Sequence, residues 1–264
     1  MPKSFCYILI LSLFMGTSCT QKLPYEGALV NPDSVLNDGT SFVNYWYAVM
    51  DLSSDFIALD TASNQIAKGE FLKQITKGSY LPLRLISNSS TPYYKLYKIN
   101  TPIDNYITVM LQSIGANAYK NFEWEGRPLP EINYTDLNGK RYDSKTIKGK
   151  ILVLDFWFIG CTWCVKEMPE LNKLKAQYNN RNDILFAAIA FDKENALREF
   201  MKKTDFRYDI ISDTAQWLIK NLSINSFSTF VIVNKEGNIV KILDDQYHEM
   251  EELKQTLKKQ ESLN

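Results

Sequence analysis

Two cysteines, Cys161 and Cys164, stand three residues apart in a chain of 264 residues. They follow an apolar and β-branched run, Ile151–Trp157, which is typical of a buried strand, and they begin a pattern that predicts an amphipathic helix. The free N–H groups and the dipole at the start of a helix stabilise negative charge, so they favour the thiolate form of Cys161. We therefore expect Cys161 to act as a nucleophile.

Cys164 is placed about one helical turn beyond Cys161 and on the same face, so the two sulfurs can close a small disulfide ring. In such a pair Cys161 attacks a disulfide and Cys164 resolves the mixed disulfide. The spacing also fits half of a zinc site, but zinc takes four ligands and the chain has one histidine, His248, and no second pair of this kind. A purely structural disulfide would close too short a loop to add much stability through chain entropy.

The segment around the cysteines resembles the active-site strand and helix of thioredoxin through Asp155-Phe156-Trp157, the cysteine pair and Pro169. The wider run from Lys148 to Pro169, with Glu167-Met168-Pro169, is more similar to the exported, membrane-anchored thiol-disulfide oxidoreductases of the TlpA and ResA type. The resemblance covers residues 124–264 and implies an α/β, thioredoxin-like fold with a central mixed sheet flanked by helices. It implies a protein disulfide reductase or isomerase, for which we expect no cofactor and no bound metal ion.

The same resemblance points to two carboxylates near the dithiol. Asp155 matches the buried acid of thioredoxin and, because burial raises the pKa of a carboxyl, it can carry a proton to and from Cys164. Glu167 matches an acid that the TlpA and ResA types carry beside their cysteines, and it is a second candidate for proton transfer or for tuning the thiol pKa. The structural alternatives are a hydrogen-bonded core residue for Asp155 and an exposed helix residue for Glu167.

Three residues, Trp157, Ser228 and Thr229, are predicted to face the substrate. The family places a cis-proline before a threonine opposite the cysteines, and this chain has Ser228 at that position. The Phe227–Ser228 bond is therefore either trans or one of the rare cis bonds before a residue other than proline. Both forms leave an additional N–H and a hydroxyl facing the cysteines, which could alter substrate binding or admit a metal ion.

The first 18 residues contain one basic residue, Lys3, followed by an apolar run too short for a mature membrane span. We interpret residues 1–18 as a lipoprotein-type signal peptide. Cys19 follows small residues, which resembles the acylated cysteine of bacterial lipoproteins, so we predict lipidation of Cys19; ordinary cleavage nearby is the alternative. Lipidation would leave Cys161 and Cys164 as a closed pair, with no odd thiol in an oxidising compartment.

Charge and compartment restrict the partners. The 30 basic and 30 acidic residues are interspersed and the formal net charge is zero, which argues against a function in binding nucleic acid. We expect the partners to be exported proteins with cysteines or disulfides, a membrane or periplasmic electron donor, and the membrane itself through the lipid anchor. The predicted location is the bacterial cell envelope, on the side that faces the periplasm.

The rest of the chain divides into three predicted segments. Residues 19–38, rich in proline, glycine, asparagine and aspartate, predict a tether. Residues 39–123 predict a small α+β domain of unknown role, whose aromatic residues could form a partner surface but are more typical of a core. Its predicted elements are an aromatic-rich strand over 41–50, a helix over 68–76, strands over 80–87 and 93–99, and a helix capped by Thr101.

Residues 124–264 predict the thioredoxin-like domain. Asn138-Gly139 lies between two extended runs and predicts a β-hairpin before the central strand. Strands then alternate with helices, one of them capped by Asp213, and the chain ends with a hairpin and a helix.

Two other functions compete with the oxidoreductase. In a non-catalytic alternative, the dithiol, helped by Ser228, holds a soft ion such as Cu(I), or the first domain binds a partner. Peroxidase activity is disfavoured, because thioredoxin-fold peroxidases have threonine three residues before the reactive cysteine, where this chain has Phe158. Turnover that vanishes in Cys161→Ala favours the enzyme, and stoichiometric metal binding without turnover favours the alternative.

Overall fold

The computed structural model of the chain describes residues 23–244 and 248–262. These residues form two five-stranded sheets and one two-stranded sheet. The predicted signal peptide and the predicted lipidation site, Cys19, lie outside the described residues. Within the described ranges, no helix combines the length and the apolar character that crossing a membrane requires.

The first sheet and its helices occupy residues 25–124. Three of the helices supply fully buried side chains, Phe42, Phe71 and Ile107, to one apolar core against the sheet. The strands are β1 (Tyr25–Ala28), β2 (Ile57–Leu59), β3 (Gln65–Ile66), β4 (Tyr80–Ser87) and β5 (Tyr93–Lys98), in the order β1-β4-β5-β2-β3. The helices are α1 (Pro32–Val35), α2 (Gly39–Val49), α3 (Lys68–Ile75) and α4 (Asn105–Trp124). The prediction of α3 and of the antiparallel pair β4 and β5 is confirmed.

The predicted strand over 41–50 is wrong, because these residues form helix α2. The carboxylate of Asp38 caps the helix by accepting a hydrogen bond from the Ser41 N–H at 2.8 Å. Phe42 and Tyr45, three residues apart, are buried on one face of the helix. Their aromatic character favours a strand locally, whereas their spacing and the cap select a helix.

The tether prediction is also wrong where residues 19–38 are described. Tyr25–Ala28 pairs with β4 as an edge strand, and Val35 of α1 is 2% exposed in the core. Further along, α4 is capped by Asp104 and begins at Asn105, three residues later than a cap at Thr101 implies. Among the aromatic residues, the core assignment is confirmed for Tyr45, Tyr93 and Tyr94, which are buried, whereas Tyr47 is 41% exposed.

The second five-stranded sheet carries the cysteines. Its order is β10-β9-β8-β11-β12, with β8, β9 and β10 parallel and the last two strands antiparallel to their neighbours. The predicted mixed sheet flanked by helices is confirmed. The remaining elements are β6 (Asn133–Thr135), β7 (Arg141–Asp143), β8 (Ile151–Trp157), α5 (Thr162–Gln177), β9 (Ile184–Ala190), α6 (Glu194–Met201), β10 (Asp209–Ile211), α7 (Gln216–Asn221), β11 (Thr229–Val233), β12 (Ile239–Leu243) and α8 (Glu249–Ser262).

Two local predictions in this half have different outcomes. The hairpin predicted around Asn138-Gly139 is confirmed, since β6 and β7 pair antiparallel there. Asp213, predicted as a helix cap, instead begins a short 3-10 turn, Asp213–Ala215, that leads into α7.

Strand β8 separates the two cores of the second sheet. All seven of its residues are buried, and alternate side chains point to opposite faces. Val153 and Trp157 lie in the core that also contains Cys161 and Cys164, whereas Phe156 lies in the core on the other face. This alternation places Asp155 on the same face of the sheet as the cysteines.

Polar contacts join the two five-stranded sheets. Lys241 of β12 is 7% exposed, and its Nζ donates to the carbonyl oxygen of Ser53 at 2.9 Å and pairs with Asp55 and Glu125 at 3.1 and 3.2 Å. Residues 126–129 add backbone hydrogen bonds along β12, such as the Gly126 N–H to the Ile239 carbonyl at 2.8 Å. The first unit therefore packs directly against the edge of the second sheet.

Helices α3 and α4 approach so closely at Gly115 that a side chain does not fit there. A Cβ at this position would lie 2.7 Å from the backbone nitrogen of Thr76 and 2.8 Å from the carbonyl carbon of Ile75. We expect Gly115→Ala to lower the free energy of unfolding by about 1–3 kcal/mol through overpacking. Urea unfolding measures this change. Ser113→Ala, at an exposed position of the same helix, should change it by less than about 0.5 kcal/mol, and equal effects of the two variants would contradict the close contact.

Candidate active site

Cys161 and Cys164 form a disulfide at the start of α5, with their Cα atoms 5.4 Å apart. Cys161 is the N-cap residue of the helix, and its Sγ accepts a hydrogen bond from the Cys164 N–H at 3.2 Å. After reduction, the same N–H and the helix dipole would favour a thiolate at Cys161. Cys161 is 7% exposed and Cys164 is 2% exposed, so the first sulfur is the more accessible of the two.

A carboxylate from the loop that follows β9 holds the loop between β8 and α5. Asp192, two residues after the end of β9, accepts a hydrogen bond from the Ile159 N–H at 2.8 Å. The Cys161 N–H donates to the carbonyl of Phe158 at 3.0 Å. Asp192 was not identified from the sequence. Its position just after a strand parallel to β8 is a signal that could have identified it, because parallel strands end at the same edge of a sheet.

Three phenylalanine rings lie next to this loop. Phe227 packs edge-to-face against Phe158 and against Phe191, with centroids 5.5 and 4.9 Å apart. Phe158 and Phe227 are partly buried beside the cysteine core, whereas Phe191 is 36% exposed. The rings place an apolar surface close to the disulfide.

Asp155 is buried on β8, as predicted, with 2% of its surface exposed. Its Oδ1 has no hydrogen-bond partner among the described residues. Burial raises the pKa of Asp155 well above its usual value, and the nearby charge of Glu167 raises it further. Burial therefore favours the protonated carboxyl over the carboxylate.

Glu167 belongs to a group of three polar side chains from different elements. It lies on α5 one turn after Cys164, is half-buried, and its Oε2 is 2.9 Å from the Oγ of Ser228. The same Oγ is 2.8 Å from Oε1 of Glu249, the first residue of α8. Burial raises the pKa of Glu167, so an ordinary exposed helix residue is the wrong description.

Sequence reasoning missed Glu249 because α8 is far from the cysteines along the chain. One signal was present in its spacing. Glu249 precedes Leu253 and Leu257 by one and two helical turns, and both leucines lie in the core with the cysteines. A carboxylate one and two turns before two core leucines of the same helix is the pattern that could have identified it.

The three side chains predicted to face the substrate are all buried. Trp157, Ser228 and Thr229 are 0%, 1% and 2% exposed, so none of them lies on the surface of the disulfide form. Trp157 points into the core and packs on Phe200, while the Thr229 hydroxyl donates to the carbonyl oxygen of Ser226. The bond before Ser228 is cis, which decides between the two forms left open by the sequence.

No group of three or more histidine, cysteine, aspartate or glutamate side chains in residues 23–244 and 248–262 is arranged to hold a metal ion.

The fold and the site together define a class of protein. The disulfide-forming Cys-x-x-Cys lies at the N-terminus of the helix that follows the central strand of a five-stranded mixed sheet. This arrangement is that of a thioredoxin-like protein with a redox site.

Comparison with known proteins identifies the family. The Redoxin family model matches residues 125–257. A thiol-disulfide oxidoreductase ResA of Bacillus cereus is 29% identical over 150 residues, which cover 54% of this chain and 87% of that protein. ResA of Bacillus thuringiensis subsp. konkukian is 30% identical over 159 residues, 58% of this chain and 91% of that protein. The chain belongs to the Redoxin family and is a thiol-disulfide oxidoreductase of the ResA type.

Among solved structures, the thioredoxin domain of a thiol-disulfide oxidoreductase from Bacteroides vulgatus is similar to this chain. It is 26% identical, the match covers 49% of this chain and 96% of that domain, and the TM-score is 0.42. Residues 23–124, which form the first sheet and its helices, lie outside the Redoxin match.

The raised pKa of Asp155 has a consequence for stability. The folded chain keeps this proton at pH values where the unfolded chain, with the usual value of 3.8, has lost it. The stability of the wild type therefore falls as the pH rises above 3.8, the usual pKa of an aspartate. Asp155→Asn has no carboxyl at this position, so its stability lacks this contribution to the pH dependence. We expect the free energy of unfolding of Asp155→Asn to exceed that of the wild type near neutral pH and the difference to shrink in acid.

Urea unfolding of both proteins across the acid and neutral range measures this difference. Asp205→Asn is the matched control, since the Asp205 side chain is 68% exposed, and its effect should not vary in the same way. A difference for Asp155→Asn that is constant with pH would show that Asp155 is ionised in the folded chain.

Proposed function

We propose that this chain reduces or isomerises the disulfides of exported, cysteine-containing proteins at the bacterial cell envelope. The observation that carries the proposal is the position of Cys161 at the N-cap of α5, where its sulfur accepts the Cys164 N–H and is the more exposed of the pair. A thiolate stabilised at that place is the nucleophile that disulfide exchange requires.

The proposed reaction has two exchange steps. The Cys161 thiolate attacks one sulfur of the client disulfide, forms a mixed disulfide and releases one client thiolate. The Cys164 thiol then loses its proton and attacks Cys161, which re-forms the Cys161–Cys164 bond and releases the second client thiolate. The client gains two electrons, and an electron donor of the membrane or periplasm returns the enzyme to the dithiol form.

Glu167 is the proposed acceptor of the Cys164 proton, and Asp155 is a second group that can carry a proton to and from this thiol. Glu167 is one helical turn from Cys164 on the same helix, and Asp155 faces the same core from β8. A carboxyl with a raised pKa is suited to this exchange, because its proton affinity comes closer to that of a thiol.

The apolar surface made by Phe158, Phe191 and Phe227 supports a protein client. Exposed aromatic surface beside a reactive group favours binding of apolar residues that flank the client cysteine. Because Phe191 is the most exposed of the three, it is the proposed first contact.

We expect Cys161→Ala to lower the rate of insulin disulfide reduction on the order of 100-fold or more, because it removes the nucleophile. Cys164→Ala should instead accumulate a covalent complex with insulin that migrates separately on a non-reducing gel. Lys173→Ala, at an exposed position of α5, is the control and should keep the wild-type rate. Turnover by Cys161→Ala would refute the proposal, and binding of Cu(I) by a chain without turnover would favour the non-catalytic alternative.

The proposed location at the cell envelope is based on the sequence of residues 1–19. If Cys19 carries the lipid, cells that express the full chain should incorporate labelled palmitate into it, and Cys19→Ala should lose both the label and the detergent-phase partition. Cys6→Ala is the matched control, since Cys6 leaves with the signal peptide. Label that persists in Cys19→Ala would mean that the chain is not a lipoprotein acylated at this residue.

A further inference from the structure

Glu249 is a buried acid close to the disulfide that the reaction above does not use. Its side chain is 0% exposed, and α8 packs on β11 and β12 beside the cysteine core. An isolated carboxylate in such a place is strongly disfavoured, so a buried carboxyl either keeps its proton or finds a partner. The partner present here is the hydroxyl of Ser228.

The hydroxyl of Ser228 has one proton and two carboxyl neighbours. Glu167 Oε2 and Glu249 Oε1 lie 2.9 and 2.8 Å from its Oγ, and both distances are those of hydrogen bonds. Ser228 can donate to only one of them. The second bond forms only if the other carboxyl carries a proton and donates it to the hydroxyl oxygen. The geometry therefore requires one proton on the carboxyl pair.

The surroundings place that proton on Glu249. Burial raises the pKa of Glu249, and the closeness of two other carboxyls, Glu167 from α5 and Asp155 from β8, raises it further. Glu167 is less buried, and hydrogen bonds from Glu249 and Ser228 oppose the effect of burial on its pKa. On its own segment, Glu249 is flanked by three titratable residues, His248, Glu251 and Glu252.

We propose that Glu249 is a positioning residue of the redox site, whose protonated carboxyl acts on Glu167 both directly and through Ser228 and keeps Glu167 an oriented carboxylate next to Cys164. This inference deepens the proposed function and rests on it. Glu167 then takes the Cys164 proton as the new Cys161–Cys164 bond forms. The Cys161–client sulfur bond breaks, the client thiolate leaves with the bonding electron pair, and Glu167 later returns the proton to water.

The reduced full-length protein and the disulfide reagent DTNB separate the two exchange steps. The first released thionitrobenzoate reports the attack by Cys161, and the second reports the resolution by Cys164. The rates of both phases are measured by stopped flow between about pH 5 and 8, where carboxyl and thiol groups exchange protons. The variants are Glu249→Leu, Glu249→Gln and Ser228→Ala. Glu251→Leu, at an exposed position of the same helix, is the matched control.

Glu249→Leu and Ser228→Ala should each remove support for the Glu167 carboxylate. A hydrogen bond to the Glu167 carboxylate is lost in both variants, so Glu167 ionises at higher pH. We therefore expect the second phase to slow roughly tenfold at the acid end of the measured pH range and its pH profile to move to higher pH. Glu249→Gln should restore the wild-type profile, since its amide still donates to the Ser228 oxygen. The first phase should stay unchanged in all variants, which also shows that the site is folded.

Two results would overturn the inference. One is a second-phase profile that is the same in wild type, Glu249→Leu and Ser228→Ala. The other is a shift in Glu249→Gln as large as that in Glu249→Leu, which would mean that an ionised Glu249 is the active form. Failure of the proposed function is distinguishable, because in that case the wild-type chain would not reduce insulin, whatever its two DTNB phases show.

Discussion

The structure depends on the placement of a sulfur at the first turn of a helix that leaves a fully buried strand. All seven residues of β8 are buried, so the strand fixes where the chain leaves the sheet, and Asp192 holds the following loop through the Ile159 N–H. Cys161 then occupies the N-cap of α5 and receives the Cys164 N–H. A shift of one residue along β8 would move Asp155 to the opposite face and separate it from the cysteine pair.

The apolar surroundings of the disulfide affect the protonation of the carboxyls near it. Asp155, Glu167 and Glu249 come from three different elements and all face a core made of apolar side chains. Burial and the repulsion between neighbouring carboxylates both raise the pKa values of these carboxyls. They therefore hold their protons to higher pH than they would in water. Ser228 links two of them, because its hydroxyl lies within hydrogen-bond distance of both Glu167 and Glu249.

Local patterns allowed much of this structure to be predicted. The strand over Ile151–Trp157, the cysteines at the helix start and the buried Asp155 follow from periodicity and from the resemblance. Helix α2 was mistaken for a strand, because its aromatic residues fit a strand and only the Asp38 cap and the spacing of Phe42 and Tyr45 select a helix. Pairing of β1 with β4 and the contact of Glu249 with Ser228 are long-range, and no local pattern determines which distant segments meet.

The contact of residues 126–129 with β12 also affects how the sheet meets other chains. A strand at the end of a sheet exposes a row of N–H and carbonyl groups that can pair with a foreign strand. Here the Gly126 N–H, the carbonyl of Arg127 and the Leu129 N–H occupy positions along that row, directly after α4 of the first unit. Residues 126–129 thus occupy the Ile239 end of this row and keep a foreign strand from pairing there, and their detachment would open that end of the redox sheet to intermolecular β-pairing.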